Sequence, residues 1–261
     1  MPARIALLAA ALWLPLFAAA EPRVAGKVEL AEGIVRITPA GGAERRPAVG
    51  DKVREGDAIA TAGQSELHLS MADGASYIVR ENTRVKITAY VADGGDADRS
   101  LIDLAQGALR AVTGWIGHYN RANYAIRTPL VTIGVRGTDH EPTHLVAGDP
   151  RGKPGSYDKV NDGLAVMSTD HGALEIPANK AAFLSGSGLP PQLLGAIPDY
   201  FKPGKYEQAF TARAQQLQGA IDSLRKGRVD ELMKLKDQKL ELPRVPTGED
   251  LKKGFGNLFK R

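Results

Sequence analysis

The sequence predicts an all-β domain, a β-roll or sandwich of many short strands, followed by a C-terminal amphipathic α-helical arm. Three observations predict it. Between Val24 and Leu184 apolar and polar residues alternate in short runs, the period of a strand with one buried face. The chain has 29 Gly and 16 Pro but only 6% aromatic residues, a composition of many tight turns. Beyond Tyr206 the apolar spacing lengthens to threes and fours, the period of one helix face.

The first twenty residues stand apart from the fold. Met1 to Arg4 carries one positive charge, Ile5 to Phe17 is apolar apart from Pro15, and Ala18-Ala19-Ala20 precedes Glu21. That order is a secretory signal peptide over 1–20, cleaved after Ala20. The run is shorter than the roughly twenty residues a membrane anchor needs. No other stretch of the sequence is long and apolar enough to span a bilayer, so a soluble mature protein is expected. Cysteine is absent, which excludes thiol chemistry and disulfide staples; a chain of this size can hold its fold on its core alone. These features predict a periplasmic protein.

Residues 24–188 read as the all-β region. Lys27 to Leu30 and Ile34 to Ile37 alternate around Gly33, and Glu66 to Met71 alternates up to Asp73-Gly74, a hairpin signal before Tyr77-Ile78-Val79. Arg84 to Val91 is a full strand, and Asp93 to Asp98 a polar loop. Leu101 to Leu104 and Ala108 to Val112 read as two strands separated by a turn at Gln106-Gly107. A polar residue and Gly recur before apolar runs at Gly33, Gly107 and Gly163, but too irregularly for a repeat array.

Residues 189–204 read as a linker or as a segment laid over the domain surface. In 205–240, Tyr206, Phe210, Ala214, Leu217, Ile221 and Leu224 draw one helical stripe. Residues 241–261 form a basic tail whose glycines weaken a helix. From Lys202 to Arg261 there are fourteen Lys or Arg against eight Asp or Glu, so the net charge of +4 belongs to this end. The main domain is slightly acidic, and no nucleic-acid partner is expected. The segment 244–261 is the place where an anionic membrane or wall polymer would be met.

Gly56-Asp57-Ala58-Ile59-Ala60-Thr61, the strand from Glu66, Asp73-Gly74-Ala75-Ser76, Thr128-Pro129 and Gly134-Val135-Arg136-Gly137-Thr138 fall in an order that resembles the FecR domain family. The resemblance covers a core of 57–148, and its motif residues are Gly56, Asp57, Asp73, Gly74, Gly134, Arg136, Gly137 and Thr138. It implies an all-β extracytoplasmic domain. In the transmembrane regulators that name the family, this domain receives a signal from an outer-membrane receptor while a cytoplasmic segment controls a sigma factor. The present sequence is expected to lack that segment and the transmembrane helix. It is more similar to secreted members in which the domain serves envelope binding. Gly134 and Gly137 are expected to bend a strand around Arg136, which either clamps buried groups or meets a ligand.

Asp139-His140-Glu141-Pro142-Thr143-His144 contains H-E-x-x-H, two zinc ligands and a catalytic glutamate when carried on a helix. Pro142 removes a helical amide donor and pushes Glu141 out of the α region. Val131-Thr132-Ile133 leads in as a strand, and along a strand His140 and His144 stand about 13 Å apart at roughly 3.3 Å per residue. The spacing is therefore not read as a metallopeptidase. A looser metal site drawing on Asp139, His140, Glu141, His144 and His171 is the alternative. Trp115, His118 and Tyr119, with Tyr124, form an aromatic group with either a core or a contact role.

No nucleophile motif, P-loop or dinucleotide fingerprint is present. The expectation is a non-enzymatic periplasmic module of envelope binding or signalling, with no cofactor and no assigned metal. Its partner would be an envelope protein or cell-wall component, met through Trp115, His118, Tyr119, Arg136, His140 or His144. The alternative is a metal-binding or hydrolytic protein built on 139–144.

Overall fold

The computed structural model describes residues 21–204, 206 and 207. The signal segment, the basic tail and all of the helical arm except Tyr206 and Glu207 lie outside the described residues. In chain order the strands are β1 (Val24–Glu32), β2 (Val35–Thr38), β3 (Lys52–Arg54), β4 (Ala58–Thr61), β5 (Glu66–Met71), β6 (Ser76–Val79), β7 (Arg84–Val91) and β8 (Arg99–Val112). A short helix α1 (Trp115–Tyr119) and a 3-10 turn at Arg121–Asn123 follow. Then come β9 (Tyr124–Arg127), β10 (Thr132–Val135), β11 (Asp139–Leu145), β12 (Gly155–Asp162), β13 (Leu164–Thr169), β14 (Gly172–Pro177), β15 (Lys180–Leu184) and β16 (Gln192–Leu193). The described residues are thus mostly strand, as the alternation predicts.

All sixteen strands join one hydrogen-bonded network that folds into two layers. The first layer runs β3-β1-β5-β6-β8-β11-β12-β15-β16, and the second β2-β4-β7-β8-β9-β10-β13-β14. Strand β8 belongs to both. Its first half pairs with β7 and β9, and its second half with β6 and β11. The two strands and intervening turn expected at 101–112 are therefore one strand of 14 residues. Gly107, at φ +92°, redirects the chain without reversing it, because each half finds partners in a different layer. Thr83 supports the bend: its Oγ1 donates to the Ala108 carbonyl at 3.1 Å and accepts from the Ala108 amide at 3.0 Å.

One core lies between the layers. Leu67, Leu69, Leu109, Ala111 and Val160 face inward from the first, and Ile37, Ile59, Ile87, Ile102, Ile126, Ile133 and Met167 from the second. Each large side chain so buried contributes about 1.5–3 kcal/mol relative to exposure. The β8–β9 pair is parallel, and a parallel pair needs a crossover; α1 and the 3-10 turn provide it. The β5–β6 hairpin turns at Asp73-Gly74, where the buried Asp73 carboxylate accepts from the Ala75 amide at 3.0 Å and the Tyr90 hydroxyl at 2.5 Å. Burial pushes the Asp73 carboxyl up, and those two bonds oppose the shift.

Residues 189–204 are not a free linker. Strand β16 adds to the edge of β15, and Tyr200 and Phe201 pack with Leu145, Tyr157 and Phe183 on the outer side of the first layer. This strap covers a face that a two-layer sandwich would otherwise leave to solvent. Among the described residues no helix is long and apolar enough to cross a membrane.

Candidate functional site

The H-E-x-x-H stretch is β11, and alternation divides its side chains between the two sides of the sheet. His140 and His144 lie on the inward side. His140 is fully buried; its Nδ1 lies 3.1 Å from both Asp158 carboxylate oxygens and its Nε2 lies 3.1 Å from the Tyr124 hydroxyl. With Nδ1 donating to Asp158, Nε2 accepts from Tyr124. Burial raises the Asp158 carboxyl above its ordinary range, and the neighbouring His140 opposes that rise. His144 Nδ1 pairs with Ser156 Oγ at 2.9 Å, and burial holds its imidazole below the ordinary value. Neither histidine faces solvent or forms a binding edge. Both are committed to internal polar chains, which is how a sheet core tolerates them. Among the described residues no three metal-ligating side chains converge on a common point.

The outward residues of β11 do something else. Asp139 and Glu141 enter an ion cluster with Arg80, Arg110, Lys159 and Glu207. Arg110 grips Asp139 with two bonds, Nε to Oδ1 at 3.0 Å and Nη2 to Oδ2 at 2.6 Å. Arg80 meets Glu141 at 2.7 Å and donates from Nε to Glu207 at 2.8 Å. Lys159 Nζ donates to Glu141 at 2.9 Å, and Glu207 also reaches Arg110 at 3.4 Å. Three cations meet three anions, so the cluster is neutral. Burial alone would push the Glu141 carboxyl up; Arg80 and Lys159 reverse this and hold it below the ordinary carboxylate range. Five members sit on β8, β11, β12 or just past β6. Glu207 alone arrives from beyond the strap, 97 residues from Arg110 and 127 from Arg80.

The strap does not fill the space it encloses. A cavity of about 560 Å³ lies between it and the neighbouring strands, lined by Glu66, Arg80, Glu81, Arg151, Tyr200 and Lys202 among others. Sequence reasoning passed over this region. The one local signal was Arg110, a charge in the apolar run Ala108-Leu109-Arg110-Ala111-Val112.

The remaining predicted residues take separate places in the fold. Trp115 is buried and donates from Nε1 to Asp98 at 2.8 Å, so it is a structural residue. Tyr124 is buried too, whereas Tyr119 is 45% exposed. His118 lies against Gly137, whose φ of +62° and missing Cβ let the ring approach; a side chain there would strike it. Thr138 Oγ1 donates to the Leu164 carbonyl at 2.8 Å, and its amide donates to Thr113 Oγ1 at 2.9 Å. Arg136 is no internal clamp. Its side chain is half exposed and reaches Glu175 on β14 at 3.4 Å, while its amide alone bonds inward to Leu164. Gly134 makes no bend either, since it pairs with Val166 in an ordinary stretch of β10. Asp57 is buried and accepts from the Arg54 amide at 2.9 Å. His118 and Tyr119 are neighbours on α1, with ring centroids 6.3 Å apart, while the Arg136 side chain turns to Glu175; none of the three joins His140 and His144.

Apart from Gly134 within β10, the motif residues stand between strands, from Gly56 and Asp57 before β4 to Thr138 before β11. Residues 57–150 match the family model described as FecR protein. The FecR region thus runs from β4 through β11 and includes β8, α1 and most of the ion cluster. No curated protein matches the chain. Two solved structures of a candidate anti-sigma factor from Parabacteroides distasonis are similar at 10% and 11% identity with TM-scores of 0.43. Each comparison covers 54% of this chain and 60% of the other, so the chain spans less than two thirds of those proteins. A structure described as a cell surface anchoring domain shares 23% identity over 25% of this chain and 87% of its own, with a TM-score of 0.25.

Proposed function

We propose that this chain is a non-enzymatic periplasmic protein whose FecR region serves as an envelope binding or signalling-accessory module. The match of 57–150 to the FecR family carries the reading. It is supported by the commitment of His140, Glu141 and His144, the residues best placed for chemistry, to internal partners. The exposed residues that would meet an envelope protein or wall component are Tyr119, beside His118, and Arg136, whose fork reaches Glu175. The signal-like sequence over 1–20 supports export.

The test is fractionation of a bacterial host expressing the full chain, combined with in-cell crosslinking from Tyr119 and Arg136 replaced by photoreactive residues. Recovery of a shortened chain in the periplasmic fraction, with a discrete crosslink to an envelope component, is expected. Retention of the unshortened chain in the cytoplasm overturns the location. A hydrolytic turnover abolished by His140→Ala in a folded variant overturns the non-enzymatic reading.

A further inference from the structure

The cavity beneath the strap shares no lining residue with His118, Tyr119 or Arg136, and its lining carries both signs of charge. Arg80, Arg151 and Lys202 bring three cations and Glu66 and Glu81 two anions. Their existing commitments differ. Arg80 is neutralised by Glu141 and Glu207, and Arg151 is held by two bonds to Asp149 at 2.9 and 2.7 Å. Lys202 is exposed and has no ion-pair partner among the described residues. Glu81 accepts one bond from the Gln64 amide at 2.7 Å and feels the charge of Arg151 without a direct bond to it, leaving lone pairs unused. Tyr200, on the same wall, has a shielded hydroxyl that finds no hydrogen-bond partner of normal geometry. A purely anionic ligand would face Glu66 and Glu81, and a purely cationic one Arg80, Arg151 and Lys202. A molecule bearing both charges meets its complement, and about 560 Å³ falls in the range of small-ligand sites.

We propose that this cavity binds a small zwitterion of the amino-acid or short-peptide class, its carboxylate against Lys202 and its ammonium against Glu81. Tyr200 contributes to the cavity wall.

The test titrates the isotopically labelled full chain with alanylalanine, its N-acetyl form and its C-terminal amide, following the amides of Glu81, Ala108 and Gly204 by NMR. Saturable shifts with the free dipeptide are expected, with each blocked form binding about tenfold more weakly, one lost charge contact at roughly 1.4 kcal/mol. Lys202→Met removes the preference for the free carboxylate, and Glu81→Gln the preference for the free amine. Both residues lie outside the core, so these variants keep the fold, which the unshifted remainder of the spectrum verifies. The proposal is overturned by the absence of saturable shifts, by equal binding of all three probes, or by binding indifferent to both substitutions.

Discussion

Glu207 is one side chain whose removal changes the charge of a buried cluster. With it, Arg80, Arg110 and Lys159 balance Asp139, Glu141 and Glu207; without it, one positive charge stands uncompensated under the strap. Breaking a buried pair by removing one partner costs about 3–5 kcal/mol, and Glu207→Ala is expected to lower stability by that amount in urea denaturation. A loss below about 1 kcal/mol, the worth of a surface pair, would mean that the cluster is effectively solvated. His144 gives a pH dependence of definite sign. Burial depresses its folded pKa below the ordinary 6.5, so the unfolded chain takes up its proton first. Its contribution is present above that ordinary value and is lost as pH falls towards the depressed one. Glu141 acts in the same sense at lower pH, because its folded carboxyl also lies below its ordinary value. This component of stability should decline on acidification below about pH 6.5, against the opposite contribution of Asp73 and Asp158, whose raised carboxyls take up protons first in the folded chain. In pH-dependent melting curves, the His144→Gln chain should lose less stability than the parent between about pH 6.5 and 5. These roles were illegible in the sequence. Pro142 showed that β11 is no metal-binding helix, but which partners sit beside His140 is decided by Tyr124 and Asp158, on two other strands.

Strand β8 shows how far local pattern reaches at the level of elements. Alternation located both of its halves correctly, and Gln106-Gly107 carried an ordinary turn signal. The chain bends at Gly107 but does not turn back, because β6 and β11 pair with the second half where β7 and β9 hold the first. No local pattern contains that pairing. A Cβ at Gly107 would meet the Thr83 Cα at 2.5 Å, and the backbone there holds φ at +92°. Gly107→Ala is expected to destabilise by more than the roughly 1 kcal/mol that Ala gains at a compatible site, read as a lowered melting temperature with loss of protection at the Ala108 amide. The Asp73-Gly74 hairpin and the Arg84–Val91 strand were legible in full, since both are specified by residues adjacent in sequence. Helix α1 was not, because five residues with Gly117 in the middle give no period to read.

For the whole molecule, the strap closes a side that the alternation of β11 and β12 leaves apolar at Leu145 and Tyr157. Phe201, 6% exposed, is its principal anchor. Phe201→Ala is expected to cost about 3 kcal/mol or more, visible as proteolytic cleavage between 194 and 204 while the two layers remain intact. Uncleaved chain at protease levels that digest the unfolded protein would show that β16 alone holds the strap. The sequence left this segment open between linker and surface cover, since its prolines are compatible with both.

The sharing of β8 also bears on how the fold comes apart. Neither layer can lose its order without taking the other's central partner with it, so 99–112 has no partial opening available. Amide exchange along that whole strand should proceed through one slow, global event, and reporters placed on β5 and on β13 should melt at the same temperature. Two separate midpoints would reveal two independent halves. A single one would mean that a disturbance at either outer surface is felt as a change in the persistence of the entire domain.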